Sequence, residues 1–153
     1  MILDLGCGPN KTEGAIGIDI YPFEGVDYVR DLNRGLPFSD STVDTIIARQ
    51  ILEHLEGSDF MFVVNEMWRV SKPDAEWLIV VPDAYSPNRY RDPTHKIRDF
   101  SEDSFMLWEV DAENEYLIFV GPEYNRQAKL NVVNTEVING KTRDRAYQIR
   151  VIK

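Results

Sequence analysis

Two apolar runs open the chain, "ILDL" at residues 2–5 and "AIGIDI" at residues 15–20, and very little separates them. Short apolar runs beside turn residues read as buried parallel strands. Parallel neighbours need a crossover of roughly a dozen residues, usually a helix. Here only the stretch from Gly8 to Gly14 is available, so the usual helix is cut to a loop. Gly6 and Gly8 follow the first strand directly, and a glycine pair there permits a tight turn with a close backbone approach by a ligand. Asp19 stands at the tip of the second strand, where a carboxylate can accept both hydroxyls of a ribose. Ligands of open α/β sheets sit beyond the carboxyl ends of the strands. That rule gathers Asp4 to Pro9, Asp19, Asp31 and Ala48 to Gln50 around one crevice.

The rest of the chain extends the same plan. "VDYVRDL" reads as a third strand and "VDTIIAR" as a fourth. In "GSDFMFVVNEMWRVSKPD" the residues Met61, Val64, Met67 and Trp68 recur at helical spacing. Ser58 is the expected N-cap and Pro73 the stop. "EWLIVVP" lacks polar alternation and reads as a central fifth strand. "DAYSPNRYRDPTHKIRDF" has no sustained period and is long for a connection, as functional loops are. "SEDSFMLW" restarts a helix capped by Ser101, and "EYLIFVG" is strand-like. "LNVVNTEVI", an Asn139-Gly140 turn and "RAYQIRVIK" form a hairpin. Strands alternating with helices and then a hairpin give an α/β sheet, mostly parallel with an antiparallel edge.

Composition narrows the function. The 153 residues with 43% hydrophobic content suit one domain spanning 1–153. A net charge of −9 argues against nucleic acid held through phosphates and against an anionic membrane surface. The one cysteine, Cys7, allows no intrachain disulfide. No signal peptide or spanning run is seen, so the expectation is a soluble cytoplasmic protein. A dinucleotide is disfavoured, because Lys11 stands where the fingerprint wants a third glycine and Pro9 lacks an N–H for a phosphate. A nicotinamide-dependent oxidoreductase is disfavoured with it.

The ordered set "LDLGCGPN", "GIDI", "RDLNRGLPFSDSTVDTIIARQILEHL" and "NEMWRVSKPDAEWLIVVP" resembles the class I S-adenosylmethionine-dependent methyltransferases of the small type-11 group. The resemblance runs from residue 2 to about Phe105 and implies a Rossmann-like fold, here shortened at the N-terminus. It implies S-adenosyl-L-methionine as cofactor. Asp4, Gly6 and Gly8, with Cys7 in the same turn, would surround its methionine part. Asp19 with Ile20 would take the ribose, Asp31 with Leu32 would border the adenine, and the backbone near Arg49 and Gln50 would lie by the sulfonium and amino group.

The implied reaction is methyl transfer to a small-molecule acceptor. The alternative is an inactive cofactor-binding module or regulatory subunit. His95, in the long loop after the fifth strand, is the candidate base for a poorly ionised acceptor. His54 in "EHL" reads as structural or cofactor-side. Asp92, His95 and Asp99 match no strong metal pattern, so no metal is expected. Arg89, Arg91, Lys96 and Arg98 concentrate positive charge in the same loop, which suits an anionic acceptor. With no helix expected before the first strand and only a turn after it, part of one sheet face should lie bare. A bare apolar face points to a homo-oligomer.

Overall fold

A computed structural model describes residues 1–97, 99–105, 108 and 128–153. Its strands are β1 (Ile2–Leu5), β2 (Ile16–Asp19), β3 (Tyr28–Val29), β4 (Val43–Arg49), β5 (Ser71–Pro82), β6 (Leu130–Ile138) and β7 (Asp144–Val151), with helix α1 (Gly57–Val70) between β4 and β5. They form one seven-stranded sheet in the order β3-β2-β1-β4-β5-β7-β6. The strands β1 to β5 pair in parallel, and β7 runs antiparallel to both β5 and β6. The mostly parallel, Rossmann-like sheet with a C-terminal antiparallel hairpin is the one expected.

The connection from β1 to β2 contains no helix. Gly6 and Gly8 adopt positive φ of 61° and 53°, and the N–H groups of Gly6 and Cys7 both reach the Ile18 carbonyl, at 2.8 and 3.2 Å. The turn therefore folds straight back onto β2. A side chain at Gly6 would stand 2.5 Å from Ile51, so this glycine also admits the loop after β4.

Several boundaries differ from expectation. The third strand shrinks to two residues, because Asp31 caps a 3-10 turn at Leu32–Arg34 that ends the pairing. Helix α1 begins at Gly57 with Glu56 at its N-cap, so Ser58 falls inside the first turn. Its buried stripe is Phe60, Val63, Val64, Met67 and Val70; Met61 and Trp68 lie only partly buried on its flank. The helix ends before Pro73 is reached. Pro73 sits instead where β5 slips in register against β4, between the pairs Val43–Ser71 and Thr45–Glu76, as proline in a sheet tends to. Residues 102–105 form turns, and the rest of the "SEDSFMLW" helix, apart from Trp108, lies outside the described residues, as does the strand expected in "EYLIFVG".

The two faces of the sheet are unlike. Leu3, Leu5, Ile46, Ala48, Trp77, Ile79 and Val81 are buried, together with the apolar stripe of α1. On the opposite face Ile2 and Leu78 are exposed and Ile47 and Val80 half-buried. A groove of about 440 Å³ runs along that side, lined by Thr12, Ile47, Arg49, Leu78, Glu136 and Gln148 among others. Among the described residues, then, this face is the more exposed of the two.

Candidate functional site

The carboxyl ends of β1, β2 and β4 converge on the glycine turn. Asp4, on β1, is 1% exposed. Its Oδ2 accepts from the Thr12 N–H at 2.7 Å and from the Arg49 guanidinium at 2.8 Å. Arg49 reaches on to Thr12 Oγ1 at 2.9 Å. Asp4 and Arg49 thus clamp the shortened crossover from beneath. Asp4 Oδ1 is buried without a partner.

Asp19 braces the turn from the other side, accepting from Gly8 N–H at 2.8 Å and Tyr21 N–H at 2.9 Å, one bond to each oxygen. Gly8 itself meets open space where a side chain would stand. A bare glycine wall beside a buried unpartnered carboxylate oxygen suits a ligand that carries an ammonium group and needs close backbone approach. The residues present therefore fit the cofactor that the sequence implies. Cys7 is buried, and burial followed by the nearby Asp4 and Asp19 charges pushes its thiol up, which makes it a packing residue of the turn. Ile20 is exposed beside Asp19. Asp31 spends one oxygen capping its own turn, at 2.9 Å from Asn33 N–H, while the Leu32 side chain is part of the core. Gln50 takes a φ of 53° and donates its N–H to the Val80 carbonyl at 2.7 Å, turning the chain away from β4.

The loop after β5 docks onto the same end of the sheet. Lys96 and Ile97 donate their N–H groups to the Glu53 carbonyl at 2.7 and 3.0 Å, tying the loop to the 3-10 turn that follows β4. His95 is buried there, 4.0 Å from Glu53 Oε1 and 4.0 Å from Asp92 through its Nε2. Its Nδ1 and both Glu53 carboxylate oxygens are buried without hydrogen-bond partners. Burial pushes the Glu53 carboxyl up to about 7, its own backbone amide offsets part of this, and Asp144 and Asp92 add to it. His54 packs edge-on against His95, with ring centres 4.8 Å apart. Burial, then His95, lowers its pKa. Of the basic residues in this loop, Arg89 pairs with Asp99 at 3.1 Å and Lys96 with Glu56 at 3.7 Å; Arg98 lies outside the described residues.

A family model for a methyltransferase domain of type 11 matches residues 3–79, half of the chain. The chain belongs to this methyltransferase family. Solved structures extend the likeness over the whole fold. A SAM-dependent methyltransferase from Archaeoglobus fulgidus is 20% identical, with 97% of this chain and 85% of that one covered at a TM-score of 0.64. One from Aquifex aeolicus is 17% identical, with 99% and 81% covered at 0.62. The [4+2]-cyclase SpnF is 15% identical, with 99% and 74% covered at 0.65. None of the curated proteins matches the sequence.

Within this methyltransferase domain two residues stand out that sequence reasoning did not single out. Asp83, at the start of the long loop, is fully buried and accepts from Arg145 at 2.8 Å and Tyr85 N–H at 2.9 Å. Glu53 is the other. Its signal is an acidic residue set among the apolar Ile51, Leu52 and Leu55, though nothing local pairs it with His95.

Proposed function

We propose that this domain transfers a methyl group from S-adenosylmethionine to a small-molecule acceptor. The glycine turn carries the reading: an open backbone wall at Gly8, Asp19 fastened beside it, and a free buried oxygen on Asp4 beneath. The two neighbours described as SAM-dependent methyltransferases support it. The cofactor supplies a methyl group on a sulfonium, already activated for transfer. What the chain must add is alignment and exclusion of water. Each Asp19 oxygen already takes one backbone N–H and keeps a lone pair for a ribose hydroxyl. Asp4, Gly6, Cys7 and Gly8 hold the methionine part. Ile20 flanks the ribose, Asp31 and Leu32 border the adenine, and the backbone at Arg49 and Gln50 faces the amino group. Where the acceptor is a poorly ionised hydroxyl or amine, His95 takes its proton.

Calorimetric titration of S-adenosylmethionine tests the assignment. Losing a charged acceptor costs roughly 1.5–3 kcal/mol, so Asp19→Ala should bind about tenfold to a hundredfold more weakly. Unchanged affinity overturns the ribose role. Because a similar fold is described as a cyclase, turnover is measured separately from binding; tight binding with no methyl transfer to any acceptor would favour a non-catalytic binding module. The half-bare sheet face adds the proposal of a homo-oligomer, which light scattering at rising concentration checks.

A further inference from the structure

We propose that Glu53, His54 and His95 form a binding site for a divalent transition-metal ion of the zinc type. Both histidines of the chain are in this cluster. With Glu53 they place one donor atom each within 4.8 Å of one another. The sequence separates His95 from the other two by some forty positions, so no spacing motif shows the set. Asp99, a residue whose spacing with His95 invites comparison, points elsewhere and pairs with Arg89.

Three observations make the cluster more than a packing contact. Glu53 is fully buried and neither of its oxygens has a partner, although buried carboxylates are normally paired or bound to a metal. The imidazole that faces it, through His95 Nε2, lies 4.0 Å from Glu53 Oε1, too far for a hydrogen bond. Donors around a tetrahedral ion with bonds of about 2.0–2.1 Å stand roughly 3.3 Å apart, so side-chain movement of about an ångström closes the set.

The third observation is the state of His54. The Thr94 hydroxyl lies 2.5 Å from Asp92 Oδ1 and 3.0 Å from His54 Nδ1. A hydroxyl has one proton, and the carboxylate can only accept it. His54 Nδ1 must then donate to Thr94, so in the neutral imidazole Nε2 carries the free lone pair. An imidazole oriented through its far nitrogen by a carboxylate-backed partner is how metal-binding histidines are commonly held. Two imidazoles and one carboxylate suit zinc or a neighbouring transition ion; magnesium and calcium favour all-oxygen sets. Half-exposed Asp92 and His54 give the ion a way in from solvent.

This inference goes beyond methyl transfer. Bound zinc would take the His95 nitrogen that the proposed base needs, so the two uses exclude one another. The test is a calorimetric titration of zinc chloride into the full chain after chelation, with cobalt(II) absorption reporting the ligands. We expect one ion per chain with nitrogen–oxygen ligation, and at least tenfold weaker binding in Glu53→Gln and in His95→Gln. Thr94→Val should weaken binding less, by loosening His54. His54→Ala, at a half-buried position, covers the case in which the buried variants fail to fold, and zinc should raise the melting temperature of wild type but not of this variant. Equal zinc affinity in wild type and His54→Ala would overturn the site, and so would a cobalt–thiolate band, which would assign the metal to Cys7. Cofactor binding measured in chelator is independent, so failure of this site and failure of the methyltransferase reading are distinguishable.

Discussion

The two loops that leave the carboxyl end of the sheet, residues 6–15 after β1 and residues 83–100 after β5, handle buried carboxylates in opposite ways. In the first, Asp4 and Asp19 are bonded to backbone N–H groups and to Arg49, and a single oxygen, Asp4 Oδ1, is left over. In the second, Asp83 is bonded just as fully, but His95 within the loop and Glu53 beneath it leave three buried polar atoms without partners. The first loop is finished by its own hydrogen bonds, so it presents one fixed shape to a cofactor. The second is anchored at its start and incomplete further on. Preorganisation in the first loop and unfilled bonding capacity in the second suit the proposed division of labour, in which the first loop holds the methyl donor and the second faces the acceptor.

The anchor of the second loop carries the largest expected effect. Asp83 is buried against Arg145, whose side chain is 12% exposed. Removing one partner of a buried pair strands the other, which costs roughly 3–5 kcal/mol. Asp83→Ala should therefore lower unfolding free energy by about that much in urea. Burial pushes the carboxyl up, but the Tyr85 N–H and the Arg145 guanidinium outweigh it and hold the carboxyl below its ordinary value of 3.8. A lowered folded value contributes stability that is present above 3.8 and lost as pH falls through the folded value. Wild type should lose stability more steeply in that acid range than Asp83→Asn. A small effect at neutral pH would show that the second loop is not anchored there and would break the comparison.

The glycine turn sharpens it at the next level. Gly6→Ala would drive a Cβ to 2.5 Å from Ile51 at a φ of 61°, combining overpacking with left-handed strain, about 2–4 kcal/mol together. Gly8→Ala meets no neighbour at a φ of 53°, so only strain of about 1–2 kcal/mol applies. If Gly8 borders the cofactor, its alanine variant should lose more affinity than stability, and Gly6→Ala should lose both. Equal loss of stability in the two variants would mean that Gly8 is as crowded as Gly6.

How much of this was legible beforehand depended on what each feature rests on. Val43–Arg49 could be read to the residue because a buried strand shows in its own apolar run. The third strand could not, since Asp31 turns the chain after two paired residues. "EWLIVVP" is apolar from Trp77 onward, yet Leu78 faces solvent while Trp77 and Ile79 are buried. Apolarity marks an inner strand and does not say whether both faces are covered. The glycine turn and Asp19 were visible because they lie within twenty residues of one another. The Arg49–Asp4 clamp, the Asp83–Arg145 pair and the approach of Glu53 to His95 span 45, 62 and 42 positions. Such contacts exist only once the sheet brings its strand ends together.

The smallest expected effect tests whether the second loop attracts its acceptor by charge. Arg89 and Lys96 already have carboxylate partners, so two of the three described positive charges there are locally compensated. Arg91 donates to Asn88 Oδ1 at 3.3 Å and has no carboxylate within ion-pair distance among the described residues. Among the described residues of the loop it is therefore the basic side chain whose charge is available to an incoming anion. Exposed charge interactions are worth about 0.2–1 kcal/mol, so Arg91→Glu should raise KM for a carboxylate-bearing acceptor roughly twofold to fivefold. A neutral acceptor should be unaffected, as should the cofactor Kd. The difference should shrink at high salt, because screening shortens the reach of an exposed charge. A parallel loss of cofactor affinity would instead make this loop a cover for the donor, and the division between a finished donor loop and an open acceptor loop would fail.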